Sequence, residues 1–205
     1  MHFPDGVVIC NLCCETGVTT HERAEFLVAD MRLALKALGL NLVNVSTPVH
    51  LAGRDELHSF SRHEHHDEHV LLGLARWQIA ESGGRVVDRS FQDIIIQQNL
   101  PELHFRTVAI HELCHAWFFY NNYEGLPLYV EEGMCVMMEY LWLRAQKTQH
   151  AAYFMQRISA SKDPIYGEGF RQARQARKRL PMKLLLQYLK EKQRFPSAIA
   201  AFFYH

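Results

Sequence analysis

Apolar residues recur at helical spacing in several stretches of the chain. In "TTHERAEFLVADMRLALKALG", residues 19–39, one stripe runs through Ala24, Leu27, Val28, Met31, Ala34, Leu35 and Leu38. Thr19 and Glu22 stand in capping-box spacing and Gly39 closes the segment, so a helix with a core-facing stripe is predicted. "LNLVNVSTPVHL" is β-branched and bounded by Pro48, which predicts strand material. "VLLGLARWQI" and "GRVVDRSFQDIIIQQN" flank Gly83 and Gly84 and read as a hairpin or neighbouring strands, with Asp93 to Gln98 the better strand. Pro101 is a favoured first helical residue, and Asn99 is available as its cap. Farther on, "FRQARQARKRL" presents Arg171, Arg174, Arg177, Lys178 and Arg179 as a solvated basic face. "MKLLLQYLKEKQRF" is another amphipathic helix, which Pro196 stops.

One apolar run is interrupted in a chemically specific way. "AIHELCHAWFFY", residues 109–120, carries His111, Glu112 and His115. Residues four apart share a helix face, so the two imidazoles aim at one point while Glu112 sits beside it. In this H-E-x-x-H arrangement the histidines bind zinc and the glutamate acts as general base. A catalytic zinc takes three protein ligands and keeps a fourth position for water. Downstream, "LPLYVEEGMCVMMEYLWL" reads as a second amphipathic helix after a turn at Gly125 and Pro127, with Glu131 and Glu132 in its first turn. Acids there also suit a helix N-terminus. "EEG" resembles the pattern in which gluzincin metallopeptidases place a ligand glutamate before a small residue, pointing to Glu132 with Glu131 as the alternative. The other glutamate is then placed to orient a histidine. Strand followed by H-E-x-x-H helix is the usual build of zinc peptidases, in which an edge strand beside the cleft pairs with an extended peptide. Tyr123 and Tyr166 are candidate oxyanion donors, each with packing as its plainer role.

At 205 residues the chain is expected to form one domain over 19–205, preceded by a short Cys-rich segment over 1–18. The fold class expected is α+β: zincin-like, with a small mixed sheet, an active-site helix pair and a mostly helical C-terminal part. Lys plus Arg equals Asp plus Glu at 22 each, which argues against a nucleic-acid partner. No apolar run approaches a bilayer-spanning length, and the N-terminus lacks the pattern of a secretory signal. Five cysteines, an odd number, suit thiols in a reducing compartment, so the cytoplasm is the expected location. Cys10 and Cys13 make half of a four-ligand zinc site, and small buried thiols or a vestigial knuckle is the favoured account over a second bound zinc. The histidine-rich stretch 58–69, with His58, His63, His65, His66 and His69, reads as a polar connector.

Taken in order, "HELCHAW", "VEEGMC", "WL", "YGEGFR" and "RFP" resemble the peptidase domain of the ubiquitin-activated "DA-one" peptidases, clearly over about residues 100–196. That resemblance implies His111 and His115 as zinc ligands, Glu112 as base, the glutamate pair as third ligand, and endopeptidase action on protein substrates. Ubiquitin or ubiquitin-pathway proteins are among the partners it implies. No ubiquitin-interacting motifs precede the domain and a LIM module is reduced at most to Cys10 and Cys13, so a minimal catalytic core is expected. The competing functions are a zinc-stabilised interaction module without turnover and a small-molecule metallohydrolase.

Overall fold

The structure, a computed structural model, describes residue 11 and residues 15–42, 44–60 and 71–204. Cys10, Cys13, His63, His65, His66 and His69 lie outside the described residues. The architecture is α+β, mostly helical, with one mixed three-stranded sheet. Among the described residues, no helix is long and apolar enough to cross a membrane. Two compact units divide the chain: the described residues of Met1–Met31 with Asn44–Leu113, and Arg32–Val43 with Cys114–His205.

Helix α1 spans His21–Ala37. Ala24, Leu27, Val28, Met31 and Leu35 are buried as the stripe predicts. The cap is Thr20 rather than Thr19, its hydroxyl accepting from the Arg23 N–H at 3.3 Å. Gly39 ends the helix with φ 105°, a conformation that glycine adopts without a Cβ penalty.

In the first unit, β1 (Val49–Ala52) lies after Pro48, not before it. Leu40 and Leu42 are buried without forming a strand. Helix α2 (Arg54–Phe60) follows, and then the hairpin of β2 (Gly73–Ser82) and β3 (Arg85–Gln97). Gly83 and Gly84 turn it with φ 58° and 74°, the positive pair that a two-residue hairpin of matching twist requires. Sheet order is β1-β3-β2, parallel at β1/β3 and antiparallel at β2/β3. The strand leading to the H-E-x-x-H helix is therefore central, contrary to the expectation of an edge there. Both sides of its backbone are engaged, and the run Asp93–Gln97, with Ile94, Ile95 and Ile96 at its centre, is buried throughout. The edge strands are β1 and β2. Arg76 and Asp93 face each other across the β2/β3 ladder in a bidentate pair at 2.7 and 2.6 Å, which satisfies the buried carboxylate.

Helix α3 spans Glu102–Tyr120. Pro101, whose carbonyl accepts from the Phe105 N–H at 2.9 Å, fills the cap position expected for Asn99. Asn99 instead adopts φ 65° in the turn ahead of it. Arg23 and Arg106 join Glu102, and Arg106 also joins Asp30, tying α1 to the start of α3.

The second unit holds α4 (Leu128–Gln146), α5 (Gln149–Ala160), α6 (Tyr166–Arg179), α7 (Met182–Lys192) and α8 (Ala198–Phe202). Helix α7 stops at Gln193, left-handed with φ 51°, before Pro196 is reached. Helices α4 and α6 meet backbone to backbone through Gly133 and Gly169. A Cβ on Gly133 would fall 2.4 Å from the Gly169 carbonyl carbon, and one on Gly169 would fall 2.2 Å from the Tyr129 carbonyl oxygen. Backbone cannot swing aside as a side chain can. This contact fixes the first turn of α4, where the glutamate pair sits.

Gly169→Ala tests that packing. Alanine favours a helix by about 1 kcal/mol over glycine, but overpacking against an unyielding partner typically costs 1–3 kcal/mol or more. With backbone as the obstacle the upper half of that range applies, and the net expectation is a loss of about 1–2 kcal/mol, read as a lowered urea midpoint with an unchanged slope. An unchanged or raised midpoint would show that the crossing has slack.

Candidate metal centre

A helix apolar on all sides is a helix buried on all sides, and α3 has that character. From Thr107 to Phe119 every residue is buried except His111 and His115, which are half-buried. The two histidines therefore mark the strip of the helix that is not fully covered. At 100° per residue, the stripe through Val108 and Glu112 lies about 60° round the helix from the stripe through His111 and His115. Glu112 is 6 % exposed. Its carboxylate packs against Gly73, the first residue of β2: a Cβ placed there would meet Glu112 Oε1 at 2.8 Å and Cγ at 2.9 Å.

Glu131 and Glu132 reach His115 from its two ring nitrogens. Glu131 Oε1 lies 2.8 Å from Nδ1, and Glu132 Oε1 lies 3.6 Å from Nε2. The side chains of consecutive helical residues diverge by about 100°, which is why one pair can bracket a ring. Burial alone would lower the pKa of His115, but the Glu132 and Glu131 carboxylates outweigh it and hold the imidazole well above its usual range. The bracket thus demands positive charge, from a proton or from a cation.

Donor chemistry and spacing fit zinc. Two ligands at about 2.0–2.1 Å from a tetrahedral ion stand about 3.3 Å apart, close to the 3.6 Å between Nε2 and Glu132. A Glu131 carboxylate accepting from Nδ1–H fixes the tautomer that leaves Nε2 available. Ligand atoms of His111, His115 and Cys135 all lie within 4.8 Å of one another. Cys135 was not among the residues expected from sequence. Its signal was present in "VEEGMC", since Cys135 follows Glu132 by three and so shares its side of the helix. Cys114 and Cys135 are both buried free thiols. Burial, the neighbouring Cys114 thiol and the Glu132 and Glu131 carboxylates all push the Cys135 pKa well above its usual value.

The tyrosines are placed differently. Tyr123 follows α3, and its hydroxyl donates to the Leu186 carbonyl at 3.1 Å. Its ring packs 5.1 Å from both Trp117 and Phe118, under the Lys190 ammonium at 5.3 Å. Burial pushes the hydroxyl pKa up to about 12. These contacts match a packing role. Tyr166 opens α6, with its backbone N–H donating to Asp163 Oδ1 at 2.6 Å.

Comparison with known proteins bears on the same stretch. The DA1-like family (Protein DA1) matches residues 76–152, which include His111, His115, the glutamate pair and Cys135. Protein DA1-related 1 of Arabidopsis thaliana is 21 % identical over 94 % of this chain and 45 % of its own length. Protein DA1 of the same plant is 27 % identical over 50 % of this chain and 25 % of its own length. Protein DA1-related 7, also from Arabidopsis thaliana, is 35 % identical over 40 % of this chain and 20 % of its own length. The chain thus spans less than half the length of each of these relatives. No solved structure matches it. Residues 76–152 are thus a DA1-like stretch, similar to the corresponding part of these relatives.

Proposed function

We propose that the chain is a zinc-dependent endopeptidase with a zincin-like arrangement, acting on protein or peptide substrates in the cytoplasm. Glu112 carries this reading. A metal site that serves only folding needs its ligands, yet here a carboxylate next to the ligand stripe is buried against a sheet-edge strand. His111, His115 and Glu132 would hold the ion, and Glu131 would orient His115. When bound, zinc supplies Lewis acidity, lowering the pKa of water and polarising a carbonyl. Glu112 takes the proton from the attacking water and delivers it to the leaving amine nitrogen, so that one peptide bond and one water become a carboxyl and an amine. Among the described residues β2 is an edge strand, and its backbone from Gly73 onward suits an extended peptide, because strand N–H and C=O groups pair with another backbone. Ubiquitin or ubiquitin-pathway proteins are the candidate substrates that the family resemblance adds. Tyr166 is the preferred oxyanion donor, since the Tyr123 hydroxyl already serves Leu186.

A second reading has its own observation. Cys135 lies within the donor cluster, and Cys135 together with Glu132 and two histidines would close a four-ligand site of structural type. The chain would then be a zinc-stabilised interaction module.

Two experiments separate these readings. Glu112→Gln should keep its fold and one zinc per chain while cleavage of fluorescein-labelled β-casein falls about 10²- to 10⁴-fold. Cleavage by the zinc-loaded variant equal to wild type would remove Glu112 from the chemistry. In cobalt-substituted protein, the peptidase reading expects no thiolate-to-cobalt band in the near ultraviolet and full metal retention by Cys135→Ala. An intense band lost in that variant would establish the closed site.

A further inference from the structure

Glycine in a strand often marks close approach by another group, and Gly73 opens β2. Gly73 is buried and takes part in regular pairing, opposite Ile96 of β3. Its φ lies outside the left-handed region, in contrast to Gly83 and Gly84. The requirement for glycine is therefore one of space. A Cβ on Gly73 would lie 2.5 Å from Val108 Cγ1, 2.8 Å from Glu112 Oε1 and 2.9 Å from Glu112 Cγ. Ordinary carbon contacts run at about 3.5–4.0 Å, so all three are clashes. Glu112 contributes two of the three contacts, so a Cβ on Gly73 has to displace the Glu112 side chain.

We propose that Gly73 is a positioning residue: the missing side chain lets the edge strand close on the Glu112 carboxylate and hold it beside the strand along which an extended peptide would lie. Its catalytic consequence rests on the peptidase reading; its geometric consequence does not. Relieving the contact with a Cβ moves the carboxylate by roughly half an ångström or more, since contacts of this kind settle near 3.5 Å. Misplacement on the order of 1 Å costs about 10²-fold in rate. The ground-state contacts of a peptide with the β2 backbone are untouched, so the loss falls on kcat.

The test compares wild type, Gly73→Ala and Gly73→Ala/Val108→Ala, each zinc-loaded, with fluorescein-labelled β-casein as substrate and with crystal structures of all three. The expected result is a kcat lowered about 10- to 100-fold in Gly73→Ala with KM within about twofold. Val108→Ala should restore thermal stability in the double variant without restoring kcat, because it removes one contact and leaves the two with Glu112. A displaced Glu112 carboxylate should be visible in both variant structures. Recovery of kcat by Val108→Ala, or a Glu112 that superimposes on wild type, overturns the proposal and reduces Gly73 to ordinary packing. If wild type cleaves no β-casein, the peptidase reading fails instead, and the position of Glu112 in the variant structures still decides the geometric claim.

Discussion

An imidazole bracketed by two carboxylates is the interaction from which the rest of the centre follows. Glu132 is 6 % exposed, and a buried carboxylate is tolerated only where positive charge or donors meet it. His115 meets that need for Glu131 and Glu132 together, so the first turn of α4 must hold both acids at one ring. Everything that fixes α4 near this turn is in effect part of the centre. The Gly133–Gly169 crossing does this with backbone against backbone, and Pro127 opens the helix just ahead of the acids. A side chain at either glycine would move the acids relative to the ring they bracket.

The two stripes of α3 divide the labour in a similar way. One presents imidazoles where cover is incomplete, and the other presses Val108 and Glu112 against the first residue of β2. Small residues recur where a buried carboxylate has to be placed: Gly73 beside Glu112, and Gly133 directly after Glu132. A carboxylate has few shape constraints of its own, so its position is set by what the neighbouring backbone allows. Glycine permits the closest approach.

How much of this was legible in the sequence depended on distance along the chain. His111, Glu112 and His115 lie within five residues of one helix, so the 3.6-residue period alone puts the imidazoles together. The hairpin was legible for the same reason, since Gly83 and Gly84 dictate their turn locally. The helix of residues 19–39 was found to within two residues at each end, and its cap missed by one position because Thr19 and Thr20 offer the same hydroxyl. The order of the strands was not legible. Whether the strand before α3 is central or edge depends on β1 arriving in parallel from farther up the chain, and no local pattern encodes that. The partners of Gly73 and Gly169 were equally hidden, because a glycine announces freedom of space without saying what fills it. Tyr123 shows the converse: its residue type suited oxyanion chemistry, but a carbonyl 63 residues away takes its hydroxyl.

Cys135 brings the physical question of the centre to one point. It follows Glu132 by one helical turn, so a cation drawn to His115 would find carboxylate and thiol on the same side of α4. Their cost differs. The carboxylate already faces Nε2 at 3.6 Å. The thiol would have to ionise in a buried position beside two acids, where like-charge repulsion and desolvation both favour its neutral form. A neutral thiol is a weak ligand. A bound cation would itself favour the thiolate, so the sulfur ligates only if the attraction of that cation outweighs burial and the two acids; with three donors one corner of a tetrahedral ion is left to water. Whether this fold hydrolyses or merely holds together thus turns on the protonation of one buried sulfur atom.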